Sequence, residues 1–115
     1  MALSEFETAR AKKTMDGFLA RRRPPMDIRH QLDLGYRISG QSVEIFEVRP
    51  VWRSPNEKIE ESVAKATFVR TQSVWRIYWQ RADLKWHTYE PVPEVPTLPA
   101  FLMVVEEDPY ACFWG

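Results

Sequence analysis

The sequence predicts an α+β fold in one domain over residues 1–115: an N-terminal helix, a five-stranded antiparallel meander, a short C-terminal helix and a docked aromatic tail. Three observations carry this. Apolar residues recur at helical spacing near both ends, they alternate with polar residues through the middle, and no polar stretch is long enough to separate two domains. Helices that flank a run of strands, instead of alternating with them, point to an antiparallel sheet. A chain of 115 residues supports one core. Aromatic residues at 13% give that core a large buried area per residue, so disulfides and structural metals are not needed for stability.

The first helix is expected over about residues 5–22. Ser4 and Glu7 have the spacing of a capping box, in which each side chain satisfies a backbone N–H of the other's end of the first turn. Ala11, Met15, Phe18 and Leu19 form one stripe with Thr8 beside it, which is the pattern of a helix face turned to a core. Arg21, Arg22 and Arg23 complement the negative end of the helix dipole, and Pro24 and Pro25 end the helix.

From Leu32 the period becomes two. Leu32, Leu34, Tyr36 and Ile38 alternate with Asp33, Gly35, Arg37 and Ser39, and Gly40 marks a turn. The next strand, SVEIFEVRPVW, is apolar on both sides for part of its length, as in a central or bulged strand, and Pro50 must sit where no ladder N–H is needed. Residues 53–62 read as a polar loop with turn residues Ser54, Pro55 and Asn56. Strands are expected over 63–70, about 74–81 and about 85–90. The proline-rich 91–99 should run extended, and Thr97 should cap a helix over about 98–107 that carries Leu98, Phe101, Leu102 and Val105 on one side.

Composition excludes several classes of function. Sixteen basic and sixteen acidic residues cancel, so no general attraction to nucleic acid or anionic membrane is expected. The balance is local: residues 1–37 hold eight Lys/Arg against five Asp/Glu, and residues 91–115 hold four acidic residues and no basic ones. The N-terminal MALSEFETARAKK has no apolar run, so neither a secretory signal nor a membrane anchor is expected, and no segment has the apolar length to span a bilayer. Cys112 is the one cysteine, compatible with a reducing compartment and a cytoplasmic location. No cofactor is expected, since the four glycines are isolated and form no phosphate-binding loop. His30 and His87 are too dispersed to predict a metal site.

The densest chemistry lies in WRIYWQRADLKWHTYE, residues 75–90. With a two-residue or four-residue connection, Trp79 faces Trp86 and Tyr78 faces His87. Trp75, Ile77, Trp79, Trp86 and Thr88 then share the core face, and Arg76, Tyr78, Gln80, Lys85, His87 and Tyr89 the other; a three-residue loop would shift this register. Arg76, Tyr78, Lys85, His87 and Tyr89 are the candidate binding residues, because Tyr and Arg are enriched where proteins meet and aromatic rings among cations also suit nucleobases. Asp83, Leu84 and Lys85 have the form of a nuclease triplet that needs a further carboxylate, with Glu44 or Glu47 available, but Asp in a turn most often bonds its own backbone. Cys112 lies in the apolar YACFWG, which raises a thiol pKa and fits a structural residue.

Together RPVW at 49–52, VAKATFVR at 63–70, the tryptophan-rich 75–91 and the ending DPYACFWG make the chain similar to a small bacterial family known as a domain of unknown function, from about residue 20 onward. The resemblance implies a stand-alone bacterial protein of one α+β domain. It implies no substrate, cofactor or catalytic residue.

The leading reading is a non-enzymatic binding or accessory domain that contacts a protein partner through one face of the 74–90 hairpin. The alternative is a nucleic-acid-binding domain that uses the same face, with Arg21, Arg22 and Arg23 on phosphates. A nuclease-like hydrolase ranks third. Self-association is left open.

Overall fold

The computed structural model describes residues 2–114, the side chain of Pro55 apart. Gly115, the last residue of the predicted docked tail, and Met1 lie outside the described residues. Helix α1 spans Glu5–Arg22, and its capping box is formed: Ser4 Oγ accepts from the Glu7 amide at 3.1 Å, and Glu7 Oε1 accepts from the Ser4 amide at 2.8 Å. Ala11, Met15 and Phe18 are buried, with Leu19 packed beside them.

The sheet is an antiparallel meander of β1 (Asp33–Ser39), β2 (Ser42–Val51), β3 (Ser54–Val69), β4 (Val74–Gln80) and β5 (Trp86–Thr88), in that spatial order. A two-residue β6 (Glu94–Val95) follows within the proline-rich stretch and pairs with β4 further along the same edge as β5. Helix α2 spans Leu98–Glu107, with Thr97 Oγ1 accepting from the Ala100 amide at 3.2 Å.

Alternation assigns one face of the sheet to the core. Cross-strand rows Ile38/Val43/Ala66/Ile77 and Tyr36/Ile45/Ala64/Trp79 lie on that inner face. Ala64 and Ala66 in the central strand leave space for the helix layer, and Phe101, Leu102 and Val105 of α2 join Met15 and Phe18 of α1 in the same buried cluster. Burying each such large side chain stabilises the fold by roughly 1.5–3 kcal/mol before entropy is counted. A register shift after Ile45 leaves Val63 as the extra residue, so the irregularity expected in β2 is seated in its partner strand, where Val63 is buried.

The polar loop expected over 53–62 is corrected: β3 begins at Ser54 and pairs with β2 down to Lys58 opposite Pro50. These residues are polar on both sides because the ribbon is exposed, and its backbone pairing with β2 holds it, with charge pairs on its surface. Arg49 bridges to Glu61 at 3.6 Å, and Arg37 to Glu60. Pro50 precedes the register shift at Val51, as its missing N–H requires.

The tail docks through Asp108, whose carboxylate accepts from the amides of Cys112 (2.8 Å), Phe113 (3.2 Å) and Trp114 (2.9 Å). The Trp114 indole donates to the Val105 carbonyl at 2.9 Å. The Phe113 ring lies 4.7 Å from that of Tyr89.

Candidate interface on the open sheet face

The hairpin that joins β4 to β5 decides what the open face contains. Arg81 N–H donates to the Lys85 carbonyl at 3.2 Å, Leu84 N–H to the Arg81 carbonyl at 2.8 Å, and Leu84 has φ 62°. This is a three-residue loop that ends in a left-handed residue. It moves the register by one from the expected pairing: Tyr78 faces Thr88, Trp79 faces His87 and Gln80 faces Trp86. Every β5 side chain therefore changes face.

Tyr89 is corrected to the core at 1% exposure. His87 is corrected to the inner side, at the sheet rim, where its Nε2 lies 2.9 Å from Asp83 Oδ2. Lys85 belongs to the exposed loop, its amide donating to Asp83 Oδ1 at 2.9 Å. Arg76 and Tyr78 stay on the outer face as expected, and Trp86, expected in the core, joins them.

No outer-face side chain of β1 to β5 is fully buried among the described residues, and both helices pack on the opposite side. Two stacked clusters occupy this face. In the first, the Phe46 ring crosses the bare backbone of Gly35, where an added Cβ would come within 2.9 Å of the ring, and the Arg37 guanidinium lies 4.4 Å from the ring centre. In the second, Lys65 reaches between two rings, with Nζ 5.1 Å from the centre of Tyr78 and 4.9 Å from that of Trp86. Burial among the rings lowers the Lys65 pKa, and Glu44 opposes that shift. Glu44 also accepts from Ser62 Oγ at 2.8 Å and lies 3.8 Å from Arg37, so one carboxylate links the clusters. Lys65, Trp86, Phe46 and Arg37 were missed because their place on the face of Tyr78 depends on strand pairing and hairpin parity.

The three consecutive arginines have partners within the chain. Arg21 meets Glu106 at 3.3 Å, the Arg22 guanidinium lies 5.0 Å from the Trp114 ring, and Arg23 forms a two-point pair with Asp33 at 2.8 Å. The Arg23 hydrogen bonds hold the Asp33 carboxyl down at about 2.

Of the residues of the enzyme reading, Asp83 and His87 are paired, and the two glutamates are engaged elsewhere. Asp83 is engaged in its turn, with its pKa lowered first by the Lys85 amide and then by His87, while Glu44 belongs to the outer face and Glu47 meets Arg49. His87 and Cys112 line a cleft of 510 Å³ together with Trp79, Tyr89 and Tyr110. Burial raises the Cys112 thiol pKa, which keeps it protonated at neutral pH and disfavours nucleophilic attack. Among the described residues no three His, Cys, Asp or Glu side chains converge as a metal site, and no helix is long and apolar enough to cross a membrane.

A family model described as "Domain of unknown function (DUF3024)" matches residues 3–115. No curated protein and no solved structure matches the chain.

Proposed function

Since the chain belongs to this family of unassigned function, we propose from its geometry that it is a non-enzymatic binding domain whose open sheet face meets a protein partner. The observation that carries the reading is the pair of ring and cation clusters, Arg37 on Phe46 and Lys65 between Tyr78 and Trp86, on a face that the helices leave uncovered. Such rings are already ordered by their neighbours, so a partner gains contact area at a small further cost in side-chain entropy. Aromatic residues and arginine are also the groups that dominate protein contacts. The carboxylates of Glu44 and Glu60 beside Arg37 favour a protein over a polyanion, and the partners of Arg21, Arg22 and Arg23 argue the same way. The sequence's single thiol fits a cytoplasmic protein.

The test compares the native chain, a Tyr78→Ala/Trp86→Ala double variant and an inner-face control, Tyr89→Phe, as bait for co-purifying proteins. A protein retained by the native chain and the control but released by the double variant supports the reading, provided the double variant stays folded by circular dichroism. Equal retention by all three overturns it. Binding of a single-stranded oligonucleotide that weakens steeply with salt and is lost in the double variant would assign the face to nucleic acid instead.

A further inference from the structure

A second concave site lies on the helix side of the molecule, at the end away from the β2–β3 ribbon. A cavity of 290 Å³ opens where the start of α1, the β3–β4 turn and the start of α2 converge. Its size is near the lower end of ligand cavities, about 300–1,000 Å³, which suits one ring with a short chain. The walls are apolar and stiff: Leu3 and Leu98 are buried, Pro96 and Pro99 have no free rotamers to lose, and the Phe68 and Trp75 rings meet at 5.2 Å with a 45° tilt. Leu3 is held in place by its amide, which donates to the Gly40 carbonyl at 3.1 Å.

The polar groups of this cavity differ in how far they are committed. Glu7 is held by Arg70 through two bonds of 2.8 and 2.9 Å, which bring its carboxyl down to about 2. Thr97 already takes the Ala100 amide, so the α2 terminus has little to offer a ligand. Arg10 lines the same cavity and forms no ion pair among the described residues; its guanidinium lies 5.8 Å from the exposed Phe6 ring. Arg70, whose guanidinium also lies 5.6 Å from the Phe68 ring, is neutralised by Glu7, so Arg10 is the cation left without an ion pair among the described residues. An aromatic-walled cavity of this kind selects a flat apolar body that ends in a negative group.

We infer that this cavity binds a small aromatic carboxylate, with its ring against Trp75 and Phe68 and its charge on Arg10. The site is separate from the open sheet face, so its test is independent of that reading. The probes are 3-phenylpropanoate and the neutral 3-phenylpropanamide, added to the ¹⁵N-labelled native chain, with the Trp75 indole resonance identified by Trp75→Phe. Saturable movement of that resonance by the acid is expected. Arg10→Gln should weaken the acid about tenfold, and the amide should bind about tenfold more weakly to the native chain. Thr14→Phe, which fills the cavity from α1, should abolish both, while circular dichroism shows each variant folded. A Trp75 resonance that stays fixed up to millimolar acid overturns the proposal, as does equal binding of acid and amide.

Discussion

Tyr78 and Tyr89 are the same side chain on the two sides of one sheet, and the contrast between them organises the molecule. Tyr89 lies beneath the docked tail, with Phe113 on its ring and no hydrogen-bond partner for its hydroxyl among the described residues. Tyr78 lies on the open face, half-buried, with the Lys65 ammonium over its ring. The inner ring is held by exclusion of water, which scales with buried area and is non-directional. The outer ring is held by a cation–π contact of about 0.5–1 kcal/mol, which is directional and leaves much of the ring available to another molecule. Residue type alone therefore does not separate core from contact surface here; strand parity does.

The widest test of that contrast truncates the two tyrosines. Tyr89→Ala should cost about 3–5 kcal/mol in urea unfolding, as expected when a large buried ring is removed from a packed core. Tyr78→Ala should cost less than about 1 kcal/mol, the scale of a single cross-strand pair. Tyr89→Phe sharpens the comparison, because it removes only a buried hydroxyl that has no partner among the described residues, and stability should be unchanged or rise by up to about 1 kcal/mol. Similar losses for Tyr78→Ala and Tyr89→Ala would mean that both faces are covered.

An effect well below that of Tyr89→Ala is expected from Gly35→Ala on the outer face. The new methyl would collide with the Phe46 ring at 2.9 Å, and the ring, being the far end of a side chain, can swing away at the expense of its stack with Arg37. The expected cost is about 1 kcal/mol, with a change in the Phe46 ring resonances and none at Ile77 or Ala66. Loss of the inner-face resonances would show that the two layers are mechanically coupled.

Most of the architecture was legible in the sequence because local rules and the fold agree. The capping box fixed the start of α1, Thr97 that of α2, alternation from Leu32 to Ser39 marked the first strand, and the run SVEIFEVRPVW, apolar on both sides for part of its length, marked the second. Two features were not legible, each for a physical reason. The first half of β3 has Ile59 as its one large apolar residue, because this exposed ribbon has no core side to mark; its strand state depends on backbone pairing with β2 that only the fold brings together. The candidate face was half legible. Arg76 and Tyr78 follow from alternation within β4, but Trp86 and the burial of Tyr89 depend on the length of the next loop. The usual marker of a three-residue loop is glycine at its left-handed position, and this chain has Leu84 there.

That position yields the smallest and most diagnostic prediction. A left-handed conformation costs an L-residue roughly 1–2 kcal/mol, and Leu84 is 76% exposed, so little packing is lost when its side chain is removed. Glycine relieves the strain but adds freedom to the unfolded chain, which offsets roughly 0.5–1 kcal/mol of the gain. Leu84→Gly should therefore stabilise the protein by about 0.5 kcal/mol, with Tyr89 still protected from solvent and the Lys65 contact to Trp86 retained. With a two- or four-residue connection, residue 84 would have no left-handed strain to relieve, and the same substitution would destabilise. The sign of the change thus reports the register, and with it which tyrosine belongs to the core and which to the surface.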